Sequence, residues 1–226
     1  MGTVQSSFVL LKELLSINAE IIGVVTKKES QFNADFCDLS PLCLEYDIPL
    51  HHTIDINSQM TINWIKNLSP DVIFCFWWSS LIKHELLNLP RLGIIGYHPA
   101  ELPKNRGRHP IIWALALGLK ESASTFFFMG DGVDDGDILS QVKFKIKNSD
   151  NARTIYDKLL KISKKQVVKI YKDLEKGIYK RIKQNDKQSN IWRKRTKDDG
   201  IIRFNMNSKT IYNLVRALTH PYVAHL

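Results

Sequence analysis

The sequence predicts an α/β protein: a Rossmann-like, doubly wound, mainly parallel sheet with an antiparallel edge, followed by a small C-terminal appendage. Short, almost continuous apolar runs (IIGVVT at 21–26, DVIFCF at 71–76, LGIIGYH at 92–98) alternate with segments of helical apolar spacing. Strands that are apolar on nearly every residue belong to parallel sheets covered on both faces. A later run, ILSQVKFKIK at 138–147, alternates apolar with polar residues, the pattern of a half-solvated antiparallel strand. A length of 226 residues accommodates one such domain with a short addition.

Taken in order, residues 8–15 (FVLLKELL) space their apolar groups as a helix does, and 21–26 is a short β-branched strand. A polar loop follows over 27–35, then a helix from near Asp38, a strand at 48–51 and a helix over 61–68. The strand in SPDVIFCFWW leads through a helical turn at 81–87 to the apolar run that ends at His98. PAELPKNRG (99–107) is a loop by its prolines and glycine, and HPIIWALALG (109–118) is a helix with a glycine stop. ASTFFFM (123–129), the acidic turn GDGVDDGD (130–137) and the alternating run then read as an antiparallel hairpin at the sheet edge. Residues 151–178 form a long amphipathic helix, with Ile155, Leu159, Ile162, Val167, Ile170 and Leu174 inward and lysines outward. A boundary is placed near Lys183, giving a domain over 1–183 and a polar, basic segment over 184–226 with a short helix at 209–218. No apolar run precedes Gly2–Ser6, so the sheet's opening strand is missing, and the gene product is expected to extend further upstream.

The net charge of +9 is uneven: residues 1–140 carry 10 Lys+Arg against 16 Asp+Glu, whereas 141–226 carry 22 against 7, a balance of +15. Such asymmetry fits a polyphosphate ligand, nucleic acid or anionic lipid, or simply a solvated lysine-rich helix face. Aromatic residues are not interleaved with the lysines, which argues against single-stranded nucleic acid. No membrane span or secretion signal is read, and a cytoplasmic protein with no membrane partner is expected. Cys37, Cys43 and Cys75 have no paired spacing, so neither disulfides nor a metal site are expected.

Chemistry concentrates at two places. His98 ends a parallel strand, at the sheet edge where open α/β proteins bind ligands, and Asp134 lies in the glycine-rich turn that returns toward the same edge. A carboxylate beside a histidine orients the ring and favours its imidazolium form, which suits it to polarising a carbonyl or moving a proton. The competing reading is a strand cap and a solvated acidic turn.

The segments GIIGYHPAELPKNRGRHPIIWALALG and MGDGVDDGDILSQ resemble the active-site region of the folate-dependent formyltransferases: a strand ending in His-Pro, an LPxxRG loop, a helix and a Val-Asp-x-Gly turn. RTKDDGIIRFNMNSKTIYNLVRALTHPY is similar to the segment C-terminal to the catalytic domain in members acting on methionyl-tRNA or on nucleotide sugars. The resemblance implies catalytic roles for His98 and Asp134, with 10-formyltetrahydrofolate as formyl donor. The family's asparagine two residues before the histidine is replaced by Gly96, so Asn105 is expected to reach back as the missing oxyanion donor. His109 is read as a helix-capping or packing residue.

The resemblance further implies a pterin pocket from 76–82 and 131–137, with Trp78, Leu81, Asp131, Val133 and Asp137 as contacts. Its implied acceptor is a nucleotide-linked amino sugar, such as a dTDP-4-amino-4,6-dideoxyglucose destined for surface polysaccharide (O-antigen). Gln5 and Ser6 are assigned to the sugar, Arg106 and Arg108 to the phosphates, and His220 and Tyr222 to the base. A homodimer through the C-terminal segment is also an expectation. A non-catalytic binding relative, a formyltetrahydrofolate hydrolase, and purine-pathway or methionyl-tRNA formyltransferases remain alternatives.

Overall fold

The computed structural model describes residues 1–29, 35–78 and 80–222. Most of the polar loop expected over 27–35, and Ser79 within the expected pterin pocket, lie outside the described residues. After Met1–Thr3 the elements run α1 (Gln5–Leu15), β1 (Val24–Thr26), α2 (Ser40–Glu45), β2 (Leu50–His52), α3 (Gln59–Leu68), β3 (Ile73–Cys75) and α4 (His84–Leu87). Then come β4 (Ile94–His98), β5 (Arg106–Gly107), α5 (Pro110–Ala116), β6 (Glu121–Phe128), β7 (Ile138–Lys145), α6 (Ala152–Glu175), β8 (Ile191–Trp192) and α7 (Ser208–Ala217).

The main sheet has the order β3-β4-β6-β7, with β3 and β4 parallel and β6 and β7 forming the antiparallel edge. Strands β1 and β2 pair parallel to each other. Met1–Thr3 lies between β1 and β3: Gly2 N donates to the Val25 carbonyl (3.2 Å), Met1 N to Phe74 (2.7 Å), and Phe76 N to Met1 (2.9 Å). A cavity of about 570 Å³, lined by Gly23, Val24, Val72 and Phe74 among others, continues that seam. The strand expected over 71–76 is shorter than its apolar run, and the chain leaves the sheet at Trp77, whose φ is +51°.

Helix α6 begins with a reciprocal cap, in which Asn151 accepts from Thr154 N while the Thr154 side chain accepts from Asn151 N. Its buried Ile155, Leu159, Val167 and Ile170 join Leu10 and Leu14 of α1 and Phe126 of β6 in the main core. Each such side chain contributes roughly 1.5–3 kcal/mol by leaving water. Across the boundary expected near Lys183, β5 pairs in parallel with β8, and Gln184 is buried at 6% exposure. Among the described residues, no helix is long and apolar enough to cross a membrane.

Candidate active site

Strand β4 carries His98 to the carboxyl end of the sheet, where Pro99 ends the pairing and leaves the ring 4% exposed. Both ring nitrogens meet acceptors. His98 Nε2 donates to the Asn105 carbonyl at 2.7 Å, and Nδ1 faces Asp134 Oδ2 at 3.4 Å. A carbonyl only accepts, so Nε2 carries a hydrogen in this arrangement, and a second hydrogen on Nδ1 would complete an imidazolium facing a carboxylate.

Asp134 reaches this position from the acidic turn with φ +50°, and its Oδ2 also accepts from Gly107 N at 2.8 Å. The turn needs Gly136, because a Cβ there would collide with the Phe128 carbonyl oxygen. Asn105 has φ +63°, and its backbone N donates to Asn190 Oδ1 (2.9 Å). Its carbonyl is therefore the group held against His98. Asn105 thus meets His98 through its main-chain carbonyl, an acceptor.

Around the pair lies a cleft of about 1060 Å³. Its lining includes Trp78, Leu81, Ile82, Met129, Gly130, Gly132 and Val133 and, from the segments after β5 and β8, Arg108, His109 and Lys194–Lys197. Trp77, Tyr97 and Tyr222 form an aromatic wall. Trp78 Nε1 is buried and, among the described residues, has no hydrogen-bond partner.

Of the residues expected from the sequence, Trp78, Leu81, Val133, Arg108, Tyr222, His98 and Asp134 line this cleft. Others do not. Asp131 turns to exposed His84 (3.2 Å), and Asp137 uses its carbonyl on Phe128 N (2.8 Å). Gln5 is exposed on the first turn of α1, Ser6 is fully buried under that helix, and His220 is exposed outside the cleft.

Arg106, expected at phosphates, is buried instead. Its Nε and Nη2 donate to Gln184 Oε1 (3.1 and 2.8 Å) and Nη2 to Asp186 Oδ1 (2.8 Å). A guanidinium removed from water must be hydrogen-bonded, and the C-terminal segment supplies its partners.

A side chain at Gly96 would require Met129 and Phe127 to shift. A Cβ there would lie 2.9 Å from Met129 Cγ and 3.1 Å from the Phe127 ring. The volume a side chain would use is filled by the hairpin.

Sequence reasoning missed Gln184 and the run Lys194–Lys197; the basic run was visible only as part of a charged tail. His109, in the left-handed region at φ +54°, accepts from Arg195 N at 3.3 Å. Burial holds its pKa below the ordinary histidine value, and nearby Arg108, Lys194 and Arg195 add to that effect. Asp199, the nearby carboxylate, is engaged by Arg193 at 2.8 and 2.5 Å. Burial raises the pKa values of Tyr97 and Tyr222, so both are un-ionised, and the Tyr97 ring packs on Trp77 at 4.2 Å. Among the described residues, no three His, Cys, Asp or Glu converge to hold a metal.

The formyl transferase family model matches residues 11–171. The chain is 31% identical over 217 residues to the bifunctional polymyxin resistance protein ArnA of Wigglesworthia glossinidia brevipalpis, covering 95% of this chain but 33% of that protein. It is 29% identical over 222 residues to the methionyl-tRNA formyltransferase of Clostridioides difficile, covering 96% of this chain and 72% of that enzyme. In fold it is similar to the N-formyltransferase of Helicobacter canadensis, solved with folinic acid and dTDP-3-aminofucose. That match has a TM-score of 0.72 and 20% identity, over 96% of this chain and 78% of the other.

Proposed function

The chain belongs to the formyl transferase family, and on that premise we propose that it moves the formyl group of 10-formyltetrahydrofolate onto the amine of a nucleotide-linked amino sugar. The carrying observation is the pair of buried His98 and half-buried Asp134, in a cleft whose lining includes aromatic and cationic side chains. In this reading Trp78, Leu81 and Val133 take the pterin, and Arg108 and Lys194–Lys197 take the acceptor's phosphates.

The acceptor nitrogen attacks the formyl carbon and its carbonyl oxygen becomes an oxyanion. The bond from that carbon to the folate N10 then breaks, and N10 leaves with a proton. The His98 Nε2 hydrogen, resting on the Asn105 carbonyl, is the donor that can be shared with the oxyanion; removing one such donor costs about 10²–10³ in rate. Asp134, directly or through a water, takes the proton that the attacking amine gives up, and relays it toward N10 through His98. The finer acceptor is a dTDP-4-amino-4,6-dideoxy sugar or a close relative, whose formamido product is a precursor for surface polysaccharide. The Helicobacter canadensis relative, solved with dTDP-3-aminofucose, supports a dTDP-linked amino sugar without choosing between an amine on C3 and one on C4.

The test is incubation with 10-formyltetrahydrofolate and a panel of nucleotide-linked amino sugars, read by mass spectrometry. Formylated sugar without rapid folate loss in sugar-free controls supports transfer. Formate in every tube means hydrolysis, and folate binding without turnover means a binding relative. Formylation by His98→Ala at the parent rate overturns the assignment of the site.

A further inference from the structure

The residue that joins the two halves of the site comes from beyond β7 and α6. Gln184 is 6% exposed and makes four hydrogen bonds through one amide. Its Oε1 accepts from Arg106 Nε and Nη2 (3.1 and 2.8 Å), while its Nε2 donates to the carbonyls of Asp134 (2.8 Å) and Gly136 (2.6 Å). Each end of the side chain thus holds a different functional segment: the loop after β4 through Arg106, and the acidic turn through the backbone of Asp134 itself.

The same stretch fixes the other partner of His98. Asn190 Oδ1 accepts from Asn105 N (2.9 Å), its carbonyl accepts from Arg106 N (3.0 Å), and β8 pairs with β5. The acceptors facing both His98 nitrogens are therefore hung from residues 184–192.

We propose that Gln184 is a positioning residue, whose amide clamps the backbone of Asp134 so that the carboxylate stays on His98 Nδ1. This rests on the formyl-transfer reading for its kinetic consequence, but not for its geometry. Only an amide meets both demands, because the Arg106 side needs an acceptor and the two carbonyls need a donor. A carboxylate at 184 would satisfy the arginine and repel the carbonyls, and an apolar chain would serve neither. Displacements of about 1 Å at a reacting group cost on the order of 10² in rate.

The experiment compares the parent with Gln184→Glu by ¹⁵N NMR of the His98 ring and by kcat and KM for formyl transfer. In Gln184→Glu the Nδ1 resonance is expected to move, while Nε2, held by the Asn105 and Asn190 side, changes little. The kcat is expected to fall about tenfold or more, with KM for the formyl donor within about threefold.

An Nδ1 resonance unchanged from the parent overturns the clamp, whatever happens to kcat. A moved resonance in a protein whose parent formylates no acceptor upholds the clamp and removes the transfer reading. If Gln184→Glu does not fold, Gln184→Met is read in the same way, since it leaves Arg106 its bond to Asp186.

Discussion

Gly96→Asn restores the side chain that the formyltransferase motif carries two residues before its histidine, and the structure predicts that it damages the protein instead of repairing it. Gly96 sits in the middle of β4, paired with Cys75 on one side and Phe127 on the other. A Cβ there would meet Met129 Cγ at 2.9 Å and the Phe127 ring at 3.1 Å, and Phe127 is 2% exposed. Overpacking of this kind costs roughly 1–3 kcal/mol. An amide buried without partners adds about 1–3, and loss of glycine's unfolded-state freedom returns about 0.4–1.

The net expectation for Gly96→Asn is a destabilisation of about 3 kcal/mol, or a Tm lower by roughly 6–12 °C for a domain of this size. No gain in kcat should accompany it. Urea unfolding checks the stability, and Met129→Ala supplies a double-mutant cycle. Trimming Met129 relieves the nearest contact, so the two changes together should cost about 1 kcal/mol less than their sum. A Gly96→Asn protein with the parent's denaturation midpoint and a faster turnover would refute the packing account, because it would mean that the pocket admits the asparagine.

Asp134→Asn should keep its bond from Gly107 N, and hence its fold, while lowering kcat by about 10²–10⁴ in steady-state assays. Asp150, buried, accepts from Lys147 N (2.6 Å), Thr154 Oγ1 (3.1 Å) and Lys158 Nζ (2.5 Å), and this network holds its pKa down although burial alone would raise it. Asp150→Ala, which strands these donors at the start of α6, is expected to cost about 3 kcal/mol in urea unfolding. The lowered pKa of His109 makes its contribution to stability present above the unfolded value of about 6.5 and lost as pH falls below it. The unfolding midpoint of His109→Gln should therefore decline less than the parent's between about pH 7.5 and pH 5.5, and equal declines would show that this group does not titrate on unfolding.

The apolar pattern was enough to read β4, β6, β7 and α6. Strands β4 and β6 are buried on nearly every residue, β7 alternates apolar with polar residues in sequence, and α6 is long with its buried residues at helical spacing. The boundaries of β1 and β3 were not legible, since an apolar residue beyond the last paired position looks the same in sequence as one inside the strand; Trp77 is an example. In the same way His98 and Asp134 stood out through their motifs, but the roles of Arg106 and Asn105 depend on partners more than 70 residues away. Neither local propensity nor spacing encodes such a pairing. Gln184 carries no sequence signal at all: a polar residue in a basic tail reads as solvated until β8 is seen against β5.

The basic character of residues 141–226 has two origins with different consequences. Part of it is the outer face of α6, where Lys158, Lys164 and Lys169 pair with Asp150, Glu13 and Asp173. The largely exposed Lys169–Asp173 pair contributes little and is screened within about 8–10 Å at physiological salt, whereas Lys158 belongs to the buried Asp150 network. The other part is Arg193–Lys197, which packs Arg195 over Trp113 (4.6 Å) beside His109, with Asp199 engaged by Arg193. Lys194, Arg195 and Lys197 line the cleft that holds the functional pair, and a concave wall focuses a field instead of dispersing it. The solvated-face reading of the charge thus suits the outer lysines of the helix, and the proposed anion-binding role falls to Lys194, Arg195 and Lys197. Only the second lies where a phosphate-bearing acceptor would need it.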